Sequence, residues 1–322
     1  MKAAVYYETG TPDVLRYEEV PDPTAGPGEV LVKVAFVSIE GGDTLNRLRG
    51  EMNHVPHVVG YQCSGVVVAL GENVTTFALG DRVVTTGVDG SHAELRAAAE
   101  AFTWKLPDGL SIEDAACVPV AFGTADDCLF EFGRLAAGET ALIHAGAGGV
   151  GIAAIQMAKR AGARVFATAS SDEKLERLKD LGLDEGINYV THDFVVEARR
   201  LTDGRGVDVV VDSVGGLTLQ GSLNVLAYRG RCVTVGDAGR SSAEKVDISN
   251  MRGNNQTLSG YFMGAELFLT PRVHAMIATH LELIARGELR VVIDRVFDLK
   301  DAAAAHAYIE SRQSFGRVLL AP

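Results

Sequence analysis

The sequence predicts an α/β protein in which a mostly-β domain and a doubly wound parallel sheet share one chain. Three observations carry that reading. Short alternating strand patterns separated by glycine turns fill about the first 120 residues. From about residue 121, short apolar strands alternate with helical patterns, the rhythm of a parallel sheet covered on both faces. Where that rhythm begins, the run His144-Ala145-Gly146-Ala147-Gly148-Gly149-Val150-Gly151 separates a strand pattern from a helix pattern.

In the first stretch, residues 31–37 alternate, 63–70 do so less cleanly, and 81–84 begin another strand. Turns fall at Gly26-Pro27-Gly28-Glu29, Gly71-Glu72-Asn73 and Gly80-Asp81, so a partly closed, barrel-like domain is expected. Ser111 reads as a helix N-cap, with Glu113 and Asp114 in the first turn. The second stretch predicts strands over 140–145, 163–168, 186–190, 207–212 and 230–236. Helices are expected near 150–161, 172–181, 193–202 and 216–227, and 256–260 is a candidate further strand. Beyond 265 come an amphipathic helix over about 271–286, an alanine-rich helix near 301–311 and a terminal strand at 316–320. Such a tail is able to return to the first domain, leaving the parallel sheet inserted within it; periodicity leaves that topology open.

A strand, a glycine turn and a helix in that order form the phosphate cradle of a dinucleotide site. Gly146 permits the tight turn, Gly148 lets a pyrophosphate approach the backbone, and Gly151 lets the helix pack close to the strand. The unpaired N–H groups of the first helical turn then face the phosphate charge. A tight turn without a ligand is the alternative.

At 322 residues the chain exceeds what one hydrophobic core usually supports, so two domains are expected. A formal charge of −12 weighs against a nucleic-acid groove, which needs concentrated Lys and Arg. Cys63, Cys117, Cys128 and Cys232 are scattered and form no CxxC pair, so they read as reduced core thiols. The start Met1-Lys2-Ala3-Ala4-Val5 lacks a signal pattern, and no apolar run approaches the roughly 20 residues needed to span a bilayer. A soluble, cytoplasmic protein with no membrane partner is therefore expected.

Residues 26–34, 60–68, 80–83, Gly123-Thr124-Ala125, the glycine cradle, 212–216 and 316–319 together carry a resemblance. In that order and spacing, the chain resembles the medium-chain dehydrogenase/reductase superfamily, in its zinc-independent NADPH:quinone oxidoreductase family. The resemblance implies a GroES-like catalytic domain from 1–122 and 265–322 around a Rossmann domain at 123–264, assembled as a homodimer. It also implies NADPH as cofactor and a small-molecule quinone or α,β-unsaturated carbonyl (enone) as substrate. Zinc relatives carry cysteine where Glu40 stands and His-Glu where Tyr61-Gln62 follow Gly60, and a four-cysteine lobe where only 97–107 is found here. Tyrosine and glutamine are poor zinc ligands, so no metal is expected. Glu40 with His54 or His57 is the residual metal alternative, with ordinary loop histidines preferred. Alcohol–ketone chemistry needs a Lewis acid or proton donor for its alkoxide, whereas a quinone or enone spreads charge into a conjugated oxygen. Positioning and one or two hydrogen-bond donors then suffice.

On the same resemblance, Gly148, Gly149 and Val150 meet the pyrophosphate and Thr124 lies near the nicotinamide. Thr124 is equally able to cap a helix starting at Ala125. Ser213, Gly215 and Gly236 follow predicted strands, where ligands meet the carboxyl ends of a parallel sheet. Phe262 and Met263 resemble the nicotinamide-pocket edge, with plain packing as the alternative. The loop 38–49 carries Glu40, Asp43 and Asn46, with a structural role open for Asp43. Glu40, where quinone reductases often show asparagine, would repel anionic substrates or, if its pKa rises on burial, donate a hydrogen bond. Tyr61 would present its hydroxyl to the substrate oxygen or pack beside the cofactor. The second parallel strand ends without an acid, and Asp172 and Glu173 fall in the next helix behind Ser171 as cap. Ser170 and Ser171 then offer hydroxyls, and Lys174 charge, to a 2′-phosphate, with an ordinary solvent-facing lysine as the alternative and a weaker preference if Asp172 and Glu173 turn toward the pocket; Tyr189 resembles the tyrosine flanking it in relatives. The rival functional class is a structural or nucleic-acid-binding homologue that binds NADPH with little activity; the intact cradle and the negative charge argue against it.

Overall fold

In the computed structural model, which describes residues 1–240 and 245–322, the chain opens with β1 (Lys2–Tyr6), β2 (Arg16–Glu19) and β3 (Glu29–Ser38). It continues through α1 (Gly41–Arg49), β4 (His57–Val58), β5 (Gln62–Leu70), β6 (Arg82–Thr86), β7 (Leu95–Ala99) and β8 (Thr103–Lys105). β3 is the spine of this part. Val30, Val32 and Val34 alternate inward along it, the period-two pattern of a strand with one buried face. One edge of β3 pairs antiparallel with β5, and the other pairs with β7 over its first five residues. Gly65 on β5 makes the close approach possible: a Cβ there would lie 2.0 Å from the Lys33 carbonyl oxygen. Stretch 38–49, expected as a loop, is instead mostly helix. Asp43, three residues into α1, accepts the Glu40 N–H at 2.8 Å and so satisfies a donor at the helix start.

The short α2 (Ile112–Ala115) is capped by Ser111, which accepts the Asp114 N–H at 2.9 Å. α3 (Pro119–Asp126) follows and passes into a π-helical turn, Asp127–Glu131. Thr124 therefore lies inside a helix and does not cap one. Proline is pre-shaped for a first helical position, and Pro119 starts the helix five residues earlier.

Strands and helices then alternate: β9 (Thr140–Ile143), α4 (Gly149–Arg160), β10 (Arg164–Ala169), α5 (Asp172–Lys179), β11 (Glu185–Asn188), α6 (Phe194–Leu201), β12 (Val207–Asp212), α7 (Gly216–Val225), β13 (Leu226–Thr234) and β14 (Thr257–Gly260). All six strands are parallel, in the order β11-β10-β9-β12-β13-β14. Every residue of β9 is buried, as is all of β12 except Asp208, as a sheet covered on both faces requires. Strand order reverses between β9 and β12, and the carboxyl ends there form the crevice such sheets use for ligands. β13 begins four residues before the expected 230. The early pairing of Leu226 with Val207 is followed by a register shift, with Arg229 in the left-handed region at φ 61°.

The chain ends with α8 (Met263–Leu269), α9 (Pro271–Ala285), β15 (Ile293–Asp298), α10 (Ala302–Glu310) and β16 (Arg317–Ala321). β16 pairs antiparallel with the end of β3, Leu319 opposite Ser38, and parallel with β15. A seven-stranded sheet results, while β2-β1-β4 form a separate three-stranded one. Val34, Val37, Val318 and Leu320 share one apolar cluster with Ala302 and Ala305 of α10. The two compact units are Met1–Gly123 with Gly264–Pro322, and Thr124–Met263. No helix among the described residues is long and apolar enough to cross a membrane.

Candidate active site

The glycine run is the junction of β9 and α4. Gly146 donates its N–H to the Thr168 carbonyl at 2.8 Å, and Gly148 donates to Ala145 at 2.9 Å, closing the turn. The first helical bond runs from Ile152 to Gly148 at 2.9 Å, so the N–H groups of Gly149, Val150 and Gly151 head a twelve-residue helix without helical acceptors. A Cβ on Gly151 would lie 2.4 Å from the Ala145 oxygen, which explains that glycine by packing alone. Gly146 is likewise closed in, with the Ala167 methyl 2.9 Å from its would-be Cβ. Gly148 differs: its would-be Cβ meets only the Ala145 oxygen, at 3.3 Å. N–H groups without helical acceptors at a helix start suit an anion, and the helix dipole favours one.

Behind the cradle, a buried polar network ties the strand ends together. Ser222 of α7 donates its hydroxyl to Asp212 Oδ2 at 2.7 Å, and its oxygen lies 3.0 Å from His144 Nε2. The serine has one proton and gives it to the carboxylate, so His144 Nε2 carries a hydrogen and Nδ1 accepts from Thr168 Oγ1 at 3.0 Å. Burial lowers the His144 pKa against the opposing pull of Asp212, in keeping with a neutral ring. The other carboxylate oxygen of Asp212 accepts the N–H groups of Val214 and Gly215, both at 2.9 Å. Gly215 has φ 73°, a conformation glycine adopts without strain. Ser213 accepts from the Ala238 N–H, and Gly236 is packed against the Ser213 carbonyl. Ser213, Gly215 and Gly236 thus belong to one stitched pair of loops.

Thr124 is buried and directs its hydroxyl to Met263 Sδ at 3.6 Å, while Phe262 beside it is 71% exposed. Ser171 caps α5 by accepting the Lys174 N–H at 3.3 Å, which leaves its own hydroxyl proton available. Ser170 and Lys174 are half-buried and Tyr189 is exposed. Asp172 turns toward the end of β11, where it accepts from Asn188 Nδ2 at 2.9 Å.

The other unit gathers Glu40, Asp43, Asn46 and Tyr61 around the start of α1. Glu40 is 4% exposed. Its Oε1 accepts from Gln62 Nε2 at 2.5 Å and is ion-paired with Arg317. Arg317 also donates to Ser38 Oγ and, at 2.7 Å, to the Ile39 carbonyl. Asp43 accepts two backbone donors, Glu40 N–H and, at 3.1 Å, Tyr61 N–H. Asn46 Nδ2 donates to the Tyr61 hydroxyl oxygen at 2.9 Å. The phenol accepts here, so its own proton remains free to donate, and burial pushes its pKa up to about 12, which keeps it protonated. The Tyr61 ring lies so close to α1 that a Cβ on Gly42 would be 2.4 Å from it. His54 and His57 are gathered with Asp89, so Glu40 is not their metal-binding companion.

Sequence reasoning assigned no role to Arg317, Gln62, Gly42, His144, Asp212 or Ser222. Arg317, Gln62, His144 and Asp212 lie within the quoted motifs, and the paired glycines Gly41-Gly42 were the only signal for the ring that lies on Gly42.

A model described as an alcohol dehydrogenase GroES-like domain matches residues 26–108, and one described as a zinc-binding dehydrogenase matches 149–286. A quinone oxidoreductase of Pseudomonas aeruginosa is 35% identical over 97% of this chain and 97% of its own. A 2-haloacrylate reductase of Burkholderia sp is 33% identical over 99% of this chain and 98% of its own. The solved Escherichia coli quinone oxidoreductase, complexed with NADPH, matches with a TM-score of 0.93 at 28% identity, covering 100% of both chains. The chain belongs to the medium-chain dehydrogenase/reductase superfamily and is quinone oxidoreductase-like.

In this quinone oxidoreductase-like chain the carboxyl beneath Tyr61 has an unusual titration. Burial raises Asp43 from an ordinary 3.8 to about 7, against the pull of its backbone donors. The folded value exceeds the unfolded one, so between them the folded state holds a proton that the unfolded state has lost. The contribution of Asp43 to stability is full below about pH 4 and is lost as pH rises through about 7. Asp43→Asn is expected to flatten the decline of Tm between about pH 5 and 7, measured by thermal unfolding. An unchanged slope contradicts the assignment.

Proposed function

We propose that this protein is an NADPH-dependent oxidoreductase that reduces quinones or α,β-unsaturated carbonyls without zinc. The observation that carries this reading is the fate of the positions where zinc relatives have ligands. Glu40 is engaged by Arg317 and Gln62, and Tyr61 is a phenol kept protonated by its burial and oriented by Asn46. Such a set offers hydrogen bonds in place of a Lewis acid.

Bound NADPH supplies the hydride. The N–H groups of Gly149, Val150 and Gly151 hold the pyrophosphate, with Gly146 packed into the turn and Gly148 keeping the approach open. Ser170, Ser171 and Lys174 take the 2′-phosphate, flanked by Tyr189, and Asp172 is drawn aside by Asn188. Thr124, Met263 and Phe262 border the nicotinamide, and Ser213, Gly215 and Gly236 line the same strand ends. Tyr61, oriented by Asn46, donates to the substrate oxygen as charge develops there. Glu40 and Asp43 act as supports: both are buried, Glu40 with Oε1 held by Gln62 and Arg317 and Asp43 with both oxygens accepting backbone N–H groups. The four buried, free cysteines accord with a reducing cytoplasmic setting.

A steady-state comparison of kcat/KM for 1,2-naphthoquinone, short enones and primary alcohols, with either cofactor, tests the reading. Quinone or enone reduction should dominate, survive chelator, and prefer NADPH over NADH by a margin that Lys174→Ala narrows. Tyr61→Phe should lower kcat by about 10–100-fold. Dominant alcohol oxidation, activity abolished by chelator, equal use of NADH, or cofactor binding without turnover would each count against it.

We further propose a homodimer formed by edge pairing at β14. That strand ends the six-stranded sheet, and no further strand covers its outer edge among the described residues. Sedimentation at micromolar concentration should give twice the chain mass; a monomer alone would contradict the pairing.

A further inference from the structure

A second cluster of chemistry-bearing side chains lies in the β-rich unit and shares no residue with the Glu40–Tyr61 group. Asn53-His54-Val55-Pro56-His57 carries two histidines three residues apart on the approach to β4, and Asp89 lies between β6 and β7. The backbone sews these segments together. Gly90 donates to the Val58 carbonyl at 2.8 Å, and His92 donates to Val59 at 3.0 Å. Arg96 holds the Asp89 carbonyl at 2.9 Å. One ligand atom from each of His54, His57 and Asp89 lies within 4.8 Å of the other two.

His57 is the fixed member. It is 4% exposed, pairs with Tyr6 of β1 and meets the Tyr6 ring edge-on at 5.1 Å between centroids. Its Nδ1 is buried and has no hydrogen-bond partner among the described residues. A buried imidazole nitrogen left without a partner is costly and calls for an explanation. His54 is exposed and Asp89 half-buried, and their rings and carboxylate have room to adjust. Zinc bonds of about 2.0–2.2 Å put neighbouring ligand atoms about 3.4 Å apart, so closing the cluster takes roughly an ångström of side-chain movement.

We propose that His54, His57 and Asp89 bind a divalent transition-metal ion of the zinc class, with solvent completing the coordination. Two imidazoles and one carboxylate are a borderline set that suits zinc, cobalt or nickel over calcium and magnesium, which prefer oxygen alone. Occupancy ties residues 53–57 to the 87–90 turn. The chemistry does not involve hydride transfer, so this site and the proposed reductase activity stand or fall separately.

Full-length protein stripped with EDTA and titrated with ZnCl2 by calorimetry tests the site. Saturable binding of one ion per chain in the micromolar range, a higher Tm with zinc, and visible absorption bands with Co2+ are expected. His54→Ala and Asp89→Asn alter an exposed and a half-buried side chain, the second change keeping the shape, so their metal-free Tm should match the parent. Each should weaken zinc binding by about tenfold or more and remove the zinc-dependent rise in Tm. No saturable binding at millimolar zinc, or equal binding by both variants, overturns the proposal. Quinone turnover by the stripped protein, assayed in parallel, reports on the reductase reading alone.

Discussion

The buried pairing of Glu40 with Arg317 sits beneath everything else in the β-rich unit. A carboxylate and a guanidinium lose most of their hydration there, and neither is tolerable alone. Arg317 opens the last strand and reaches Ser38, Ile39 and Glu40, the residues that lead from β3 into α1. It therefore sets where the helix begins as well as how the terminal strand registers. Gln62 extends the same constraint: its amide nitrogen serves Glu40, and its oxygen takes the Val120 N–H at 3.0 Å. Once α1 is placed, Asp43 fixes the backbone of Tyr61 and Asn46 fixes its hydroxyl.

The parallel-sheet unit solves a similar problem with one carboxylate. Asp212 supports the loop after β12 with one oxygen and takes the Ser222 hydroxyl with the other, while His144 and Thr168 complete the chain across β9 and β10. Helix-terminal N–H groups need rigid support to bind an anion without reorganising, and this network lies directly behind them. In both units the candidate site residues rest on buried polar side chains joined by hydrogen bonds.

What could be read from the sequence was local. Gly146 and Gly151 answer to atoms within a few residues of themselves or on the next strand, and Ser171 caps the helix that follows it. The alternating pattern after residue 121 is legible because a sheet buried on both faces writes short apolar runs. Long-range pairings left little trace. Arg317 and Glu40 are 277 residues apart, so the ion pair made by a carboxylate weighed as a substrate contact becomes visible only in three dimensions. Two glycines at the start of α1 disfavour a helix by propensity, yet Gly42 is required because the Tyr61 ring lies on it. Ser222 reads as an ordinary helix residue until the sheet brings His144 and Asp212 to it.

We propose that buried pairing at the positions where zinc relatives carry ligands leaves a site suited to conjugate reduction without a Lewis acid. A single turnover of chelator-treated protein with an enone and NADPH deuterated at the transferable position tests it most directly. Mass spectrometry and NMR of the product should locate one deuterium at the β-carbon, with the carbonyl intact. Deuterium at the carbonyl carbon, giving an allylic alcohol, or a product formed only after zinc is restored, would contradict the account.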